Sequence, residues 1–558
     1  MRKLYPSVFL LAALSVSSFA LPQAAGAAPG ANPRGWPSVA SQLSQDRVLP
    51  GSNLEGLIYA NQDFEMLRPG EKNDKIGIAP WLRVWWRKAH PELTYSASDP
   101  TGGYPRVLHE VQEWMLHHQD LLPGLADPDI APAELRTTVG TNVRISGVQT
   151  SPRSESDIRI NFLNPNQVIA ASNAIVSGGH QAQFYSGNGG LTWGQTTLPF
   201  TGSDAFHSDP TVDWRSDGSA WSTTIGINAA GSQLRMRSYK STTAGASWTF
   251  DSTFSGTQTS ADKQLMWIDH SSTSPFKDSI YACWHNGNPA YVNHRTATGA
   301  WGTPLTVSGA ETTGTAIGCD IKSNSAGDVF VFWPTTSNRR IIVRKSTNNA
   351  VSFSAAVIVR TMFDAYDIGI PAMANRRALI YTSGGAYRNG ATNNVYVAWT
   401  DLTGAAGCTS AANEPGTNAA STCKTRIWFS RSTDGGTTWS AAAMVNNQAG
   451  LNDQFNQALA VDESTGRIAI IYYDTVGDAT RKKTNVYYQT SADGGSTWSA
   501  ATQVTSVQTN ETVAGADLGN QYGDYNSLSG WASKFLPSWT DRRSAAKEEI
   551  WTAPITEP

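Results

Sequence analysis

Charged residues are scarce in this 558-residue chain. Asp, Glu, Lys and Arg make up 16% of it, the formal net charge is −3, and the basic residues are scattered along the sequence. A chain without a basic cluster lacks the electrostatic feature that binding to nucleic acid or to an anionic membrane requires. We therefore expect neither nucleic acid nor a membrane among its partners.

Long apolar runs are also missing beyond the first residues. One short run, residues 8–20, follows Arg2 and Lys3 and precedes the small-residue stretch QAAGAAPG, which is the pattern of a secretory signal peptide. No later window reaches the ~20 apolar residues that a membrane helix needs. The sequence predicts a signal peptide over residues 1–27, cut near Ala27, and a secreted protein, either extracellular or periplasmic.

Cysteine is rare as well, with only four residues in the chain: Cys283, Cys319, Cys408 and Cys423. An even number of cysteines in an exported protein favours disulfides, and the lack of a Cys-x-x-Cys spacing argues against a thiolate zinc site. Four cysteines permit three pairings. We favour Cys408 with Cys423, which would close a loop without a hydrophobic pattern, and Cys283 with Cys319 by elimination.

Aromatic residues and glycine, in contrast, are abundant. The chain has 20 Trp, 18 Tyr and 49 Gly, a composition typical of many short strands joined by tight turns. One nine-residue phrase occurs twice, as STDGGTTWS at 432–440 and as SADGGSTWS at 491–499. Weaker copies lie upstream, and the aromatic residues that end all copies are Trp193, Trp248, Trp301, Phe353, Trp439 and Trp498.

These aromatic residues are 52 to 59 positions apart, except for one interval of 86. Each interval contains three apolar or alternating runs, then the phrase, then a fourth run, which is the pattern of a four-stranded propeller blade. Within the phrase, Asp can accept backbone N–H groups of a tight turn, Gly supplies a positive φ, and Trp packs on the sheet. The phrase thus indicates the fold and not a catalytic site.

Six such units start near residue 155 and end near Val504, and three more runs follow without a fourth strand. Residues 142–149 could supply that strand and pair the two ends of the chain, which would remove open sheet edges. The sequence predicts an all-β protein with a β-propeller over residues 141–558. Seven blades are favoured, with six as the alternative.

Residues 28–140 do not follow the repeat. Their apolar residues recur at helical spacing, which predicts a small helical N-terminal segment. His109, Glu113 and His117 are four residues apart, so they could bind a metal on one helix face. A polar stripe is the simpler interpretation, since the order is not the HExxH of metalloproteases.

The repeated phrase resembles the Asp-box of sialidase-type (BNR) proteins, and the resemblance covers roughly residues 155–558. That group includes six-bladed sialidases, seven-bladed glucanases and lyases, and non-enzymatic receptors and assembly factors. For a sialidase the resemblance implies a Tyr–Glu pair, an acidic Asp and three Arg that grip the substrate carboxylate, the first in an Arg-Ile-Pro motif. The nearest segments here, at Arg144 and Arg159, lack the Pro, so we do not transfer the family's catalytic residues to this chain.

Ligands of propellers are expected at one end of the central funnel, where the loops that lead into the innermost strands meet. Most of these loops carry Asp, which suits glycoside chemistry, although Asp is also common in tight turns without any function. Further arginines that could contact a substrate are Arg344, Arg376 and Arg431. The predicted catalytic residues are Asp209, Asp262, Asp524, Tyr522, Tyr525 and His207, and the predicted substrate-binding residues are Arg159, Arg542, Arg543 and Asp453.

Three functions fit this pattern. The favoured one is a secreted, sialidase-like glycoside hydrolase, with one of the three Asp residues as acid and one of the two Tyr residues as nucleophile or orienting group. The second is a polysaccharide lyase, in which His207 or Tyr522 takes a proton and Arg542 or Arg543 neutralises a uronate. The third is a non-catalytic propeller that binds glycan or protein. We expect a carbohydrate partner and no cofactor or metal, with a calcium ion at the funnel as the alternative.

Overall fold

The computed structural model describes residues 137–543 and 547–558. The predicted signal peptide lies outside the described residues, and so does the predicted helical segment up to residue 136, including His109, Glu113 and His117. The described residues form 32 β-strands and two short 3-10 turns. Within those ranges, no helix has the length and apolar character to cross a bilayer.

The strands form seven sheets of at least four strands each, which confirms the predicted all-β propeller with seven blades. The chain enters through β1 (Thr138–Val139) and β2 (Val143–Arg144). Blade one contains β3 (Asp157–Ile160), β4 (Val168–Ser172), β5 (Ala182–Ser186) and β6 (Gly194–Thr197). Blade two contains β7 (Asp204–Trp214), β8 (Ala220–Asn228), β9 (Leu234–Ser241) and β10 (Thr249–Thr253).

The next two blades repeat this order. Blade three contains β11 (Ala261–Ile268), β12 (Ile280–Asn286), β13 (Ala290–Arg295) and β14 (Leu305–Thr306). Blade four contains β15 (Asp320–Ser323), β16 (Val329–Pro334), β17 (Arg340–Ser346) and β18 (Val357–Thr361). An insertion then adds a two-stranded hairpin, β19 (Asp367–Ile368) and β20 (Ala378–Leu379), which flanks a 3-10 turn at Pro371–Met373.

The remaining blades complete the ring. Blade five contains β21 (Ser383–Asn389), β22 (Thr392–Leu402), β23 (Thr425–Ser432) and β24 (Ala443–Met444), with a 3-10 turn at Ala411–Asn413 in its long loop. Blade six contains β25 (Gln454–Val461), β26 (Ile468–Asp474), β27 (Asn485–Ser491) and β28 (Thr502–Gln503). Blade seven contains β29 (Ser527–Trp531), β30 (Lys534–Asp541), β31 (Glu549–Thr552) and β32 (Ile555–Thr556).

Blade seven is shared by the two ends of the described chain. Its third position is divided between β31 and β32, and its outer edge comes from β2 and β1. Val143 pairs with Thr552, and Val139 pairs with Ile555, in both cases antiparallel. The predicted pairing of the chain ends is confirmed, and the closed ring leaves this blade without an unpaired outer edge.

The first strand of each blade packs against the first strands of both neighbouring blades, so these seven strands line the funnel. All seven run in the same direction. Their starting ends therefore form one rim of the funnel, which we call the mouth, and the hairpins that follow them form the opposite rim, the base. The turn between the third and fourth strands of each blade lies on the base side.

The repeated phrase occupies that third turn, as predicted. Asp434 accepts the backbone N–H and the hydroxyl of Thr438, and Ser432 Oγ accepts the N–H of Gly436 at 2.8 Å. Gly436 has a φ of 89°, a left-handed conformation that favours glycine. The indole of Trp439 donates to the Gly436 carbonyl at 3.2 Å. The phrase is a self-contained turn that lies away from the mouth.

Buried carboxylates bind neighbouring blades together near the funnel axis. Asp157 accepts the N–H of Val212 in the next blade at 2.8 Å, and Asp213 accepts the N–H of Ile268 at 2.8 Å. Asp320 repeats the contact between blades four and five. Because each inner strand would otherwise leave an N–H group unpaired, these bonds satisfy backbone donors inside the ring.

Both predicted disulfides are present. Cys283 is bonded to Cys319, which joins blade three to the start of blade four, and Cys408 is bonded to Cys423 across the long loop of blade five. Disulfides persist in oxidising compartments. The two bonds therefore fit an extracellular protein.

Candidate active site at the funnel mouth

The innermost strands begin with an unusual backbone conformation at the mouth. Glu155 lies two residues before β3, Lys263 and Asn456 are the third residues of β11 and β25, and Asp209 is the sixth residue of the longer β7. The φ values of Glu155, Asp209, Lys263 and Asn456 are 56°, 53°, 50° and 49°. A left-handed conformation costs a residue with a side chain roughly 1–2 kcal/mol. The strand register also shifts at this point in β7, β11 and β25. Strain of this kind tends to accumulate at functional sites.

Three of the predicted carboxyl groups converge at this rim. Burial raises the pKa of Asp209, and the nearby charge of Asp262 raises it further. Burial likewise raises the pKa of Asp524, against the effect of Arg376 and with a contribution from Asp209. The pKa of Asp262 is also raised, by desolvation and by Asp524. Since each of the three influences another, they share one electrostatic site.

A fourth carboxyl group, Glu155, belongs to the same cluster and was not predicted. Burial, Asp524 and Asp209 all raise its pKa, in that order. Asn173 connects the two halves of the cluster, because its Nδ2 donates to Glu155 Oε2 at 2.5 Å while its Oδ1 accepts the Asp209 N–H at 2.8 Å. Asn173 thus ties the Glu155 carboxyl group to the backbone of Asp209.

Two cations lie among these carboxyl groups. Arg376 binds Asp524 through two hydrogen bonds, from Nε to Oδ1 and from Nη2 to Oδ2, each 2.6 Å long. The ammonium of Lys263 lies 3.3 Å from the centre of the Tyr525 ring. Lys263 is 3% exposed, and its Nζ has no hydrogen-bond partner among the described residues. Burial lowers the pKa of Lys263, although Asp209 and Glu155 oppose that effect.

Tyrosines complete the mouth. Tyr525 Oη is buried and has no hydrogen-bond partner among the described residues, and burial together with Asp209 and Glu155 raises its pKa. Tyr381 Oη donates to Asp524 Oδ2 over 3.5 Å, and its ring centre is 6.4 Å from that of Tyr366. The mouth therefore presents phenol groups beside a set of protonatable carboxyl groups.

Part of the mouth is formed by the insertion between blades four and five. Arg376 lies in that insertion, and its backbone N–H donates to Gln521 Oε1 at 3.0 Å. Its neighbour Arg377 binds Asp367 at 3.0 Å and also Glu414, which lies in the disulfide-closed loop. The insertion and that loop together position Arg376 over the mouth.

Four other predicted residues lie elsewhere. Tyr522 is fully buried in the hydrophobic interior, with its ring 5.2 Å from Phe455 and 4.7 Å from Tyr473. Asp453 is fully buried and forms a two-bond ion pair with Arg481. Arg542 pairs with Glu548, and Arg543 pairs with Asp541 and stacks on Trp551. These side chains are already bound within the fold, and they do not join the mouth cluster.

His207 and Arg159 are intermediate cases. His207 packs between Phe200 and Tyr239, and burial lowers its pKa to about 3, so its imidazole is neutral. Arg159 lines the funnel below the mouth, where it donates to Asp157 at 2.9 Å and to Ser527 at 3.0 Å. Each has internal partners, and neither side chain is part of the mouth cluster.

The base of the funnel is crossed by a histidine. The ring nitrogens of His270 in blade three lie 2.9 Å from Asp213 and 2.7 Å from Glu463, which belongs to the base hairpin of blade six. Although burial alone would lower the pKa of His270, the two carboxylates raise it to about 10. His270 is therefore a cation that links three blades, and Phe162 and Trp267 pack against its ring.

No group of three or more His, Cys, Asp or Glu side chains in the described ranges is arranged to hold a metal ion. The expected absence of a cofactor, and the alternative of a calcium ion, both stay predictions.

Comparison with family models finds one match, in which residues 415–515 match the BNR repeat-like domain. This region contains the two best copies of the repeated phrase, so the Asp-box (BNR) assignment made from the sequence is confirmed there. No curated protein matches the chain significantly.

Several solved structures are similar in a structural comparison. The BP39L lectin from Burkholderia pseudomallei is 10% identical, with 72% of this chain and 96% of that chain covered and a TM-score of 0.46. The Hadza microbial sialidase Hz136 is 13% identical, with coverages of 60% and 66% and a TM-score of 0.39. A PL25 ulvan lyase is 14% identical, with coverages of 59% and 78% and a TM-score of 0.34.

Proposed function

We propose that this protein is a secreted glycoside hydrolase that cleaves a glycosidic bond at the funnel mouth. The observation that carries the proposal is the convergence of four carboxyl groups with raised pKa values, Glu155, Asp209, Asp262 and Asp524, around Tyr525. Glycoside hydrolysis needs a protonated acid near the leaving oxygen and a second group that stabilises the sugar cation. Groups with raised pKa values in one pocket meet the first need.

Asp262 is the proposed general acid. Its side chain is about half exposed, whereas Asp209 and Asp524 are buried, so Asp262 is the carboxyl group of the three that a bound glycan reaches first. Burial and the charge of Asp524 raise the pKa of Asp262, which favours the protonated form that a general acid needs. In the proposed step, Asp262 gives its proton to the glycosidic oxygen as the bond to the anomeric carbon breaks, and water later supplies the hydroxyl at that carbon and returns a proton.

Tyr525 is the proposed partner on the sugar side. Its hydroxyl is unpaired, Glu155 lies close enough to raise its pKa, and the Lys263 ammonium faces its ring. Such a Tyr with a neighbouring Glu fits the pair that the resemblance to sialidases implies, while the mouth cluster contains one arginine, Arg376, and not three. The support therefore extends to glycoside hydrolysis and not to a particular sugar.

The test is hydrolysis of a glycan panel by the purified protein and by Asp262→Asn. We expect release of reducing sugar without new absorbance in the near ultraviolet, and a loss of about 10²-fold or more in kcat for the variant. Asp217→Asn is the matched control, because Asp217 is an exposed aspartate in the base hairpin of blade two. Its kcat should equal that of the unaltered protein.

Three other outcomes would contradict the proposal or its acid assignment. Full activity in Asp262→Asn, Asp209→Asn and Asp524→Asn would refute the acid assignment. An unsaturated product that absorbs in the near ultraviolet would identify a lyase, although the side chains that the sequence suggested for a lyase lie away from the mouth cluster. Saturable glycan binding without turnover would identify a binding protein.

A further inference from the structure

The funnel encloses little space between its two rims. Its walls run from Tyr525 at the mouth to His270 and Glu463 at the base, and the volume between them is about 90 Å³. Sites that hold a small organic ligand usually measure roughly 300–1,000 Å³. A glycan that reacts beside Asp262 therefore cannot continue down the funnel, and the rest of its chain must run across the rim or into solvent.

A groove leaves the mouth between blades one and two. One wall is the loop between β4 and β5 at residues 174–177, and the other is the loop between β8 and β9 at residues 229–231. Phe206 and Ile227, which pair on the adjacent strands β7 and β8, also line the groove. Its volume is about 670 Å³. The groove therefore has the size of a ligand site, whereas the funnel does not.

The inner end of the groove adjoins the mouth cluster. Asn173 and Ser208 line the groove. The Nδ2 of Asn173 donates to Glu155, and Ser208 Oγ donates to Asp209 Oδ1 at 2.7 Å. Because the same two side chains contact both regions, a ligand bound at the mouth can continue into the groove.

Both walls of the groove are fixed by hydrogen bonds within the protein. At the foot of the β8–β9 loop, Asn228 Oδ1 accepts the N–H groups of Ser232 and Gln233 at 2.9 and 3.0 Å. On the opposite side, the Gly179 carbonyl accepts the His207 N–H at 3.0 Å, which ties the β4–β5 loop to β7. Since the walls are formed before a ligand arrives, binding there costs little ordering of the loops.

The lining of the groove suits a chain of sugar rings. Val176 is 52% exposed, and Phe206 and Ile227 are half-buried, so all three offer apolar surface to the C–H face of a pyranose ring. Ser177 and Asn520 supply a hydroxyl and an amide that can exchange hydrogen bonds with sugar hydroxyl groups. A mainly apolar surface with a few polar groups is the usual composition of a ligand site.

We propose that this groove binds the part of the glycan that lies beyond the reacting sugar, so that the preferred substrate is longer than a disaccharide. This inference rests on the proposed function, because it extends the same site by a second binding region. The reacting sugar lies beside Asp262 and Tyr525, and the next units of the chain lie on Phe206 and against Val176.

The experiment measures kcat/KM against chain length. The substrates are cello-, xylo-, manno- and chito-oligosaccharides and oligogalacturonides, each as disaccharide and tetrasaccharide. In a series that the protein cleaves, we expect kcat/KM to rise by about tenfold or more from the disaccharide to the tetrasaccharide. Equal values for both lengths would overturn the role of the groove while leaving the hydrolase proposal intact.

Binding separates the two proposals. If calorimetry shows that a tetrasaccharide binds about tenfold or more tightly than the disaccharide of its series, without any turnover, then the hydrolase proposal fails and the groove holds. Neither binding nor turnover with any series would refute both.

Two variants test the groove itself through the ratio of tetrasaccharide to disaccharide kcat/KM, or of their affinities. Phe206→Ala should lower this ratio about fivefold or more by removing apolar surface, and Ala230→Trp, at the exposed tip of the β8–β9 loop, should lower it by filling the groove. Phe250→Ala is the matched control, because Phe250 is an exposed aromatic residue on the outer strand of the same blade. Its ratio should equal that of the unaltered protein. Unchanged ratios in both Phe206→Ala and Ala230→Trp would overturn the inference.

Discussion

The histidine bridge at the base makes stability depend on pH in a specific way. His270 has a pKa of about 10 in the folded protein and about 6.5 when unfolded. Because the folded pKa is the higher one, the stabilisation is fully present below about pH 6.5 and is lost as the pH rises towards 10. A difference of this size corresponds to about 5 kcal/mol at most.

The expected shift in Tm follows from the size of the folded unit, Thr137–Glu557. A unit of roughly 420 residues has an unfolding entropy near 0.9 kcal/mol/K, so the bridge corresponds to about 5 °C in Tm. In calorimetric scans at pH 6.5, 8 and 10, Tm of the unaltered protein should fall by about 5 °C more than Tm of His270→Gln.

The matched control is His294→Gln. Burial lowers the pKa of His294, so it does not titrate in this range, and its variant should follow the unaltered protein. Parallel Tm curves for the unaltered protein and His270→Gln would refute the bridge as a charged link between blades.

Two further predictions separate structural aspartates from the mouth cluster. Asp453→Asn should lower Tm by about 4 °C and leave KM unchanged, because loss of one partner of a buried ion pair costs roughly 3–5 kcal/mol. A tenfold rise in KM at an unchanged Tm would instead support the substrate-binding role predicted from the sequence. Asp434→Ala should lower Tm by about 1–2 °C at pH 7 without an effect on kcat, since the substitution removes a hydrogen-bond acceptor of the turn. Because the pKa of Asp434 is about 2, the difference in Tm should vanish as the pH falls from about 4 towards 2. A loss of kcat would contradict a purely structural Asp-box.

The fold could be predicted because its signal is local. Ser, Asp, Gly and Trp of one turn lie within eight residues of each other, so the turn can be recognised in the sequence wherever it occurs. The spacing between successive turns predicts the length of a blade. The weaker copies remain recognisable in the structure for the same reason: Ser346 Oγ accepts the N–H of Ala350 at 3.0 Å, although Ala replaces Gly there.

The site was only partly predictable, because its members are brought together by the ring. Tyr522 and Tyr525 are three residues apart and look alike in sequence, yet one lies in the hydrophobic interior and the other at the mouth. Glu155 was missed although it precedes the first inner strand, where a mouth residue is expected. Arg376 belongs to an insertion without a counterpart in other blades, so the repeat could not place it.

Because the two ends of the described chain share blade seven, the fold also has a consequence for biosynthesis. Glu155 comes from the start of blade one, and Asp524 comes from the start of blade seven. While the ribosome is still making the final strands, the first and last blades cannot close the ring and the mouth cluster is not assembled. A nascent or truncated chain therefore lacks the proposed active site, which forms only when the last blade joins the first.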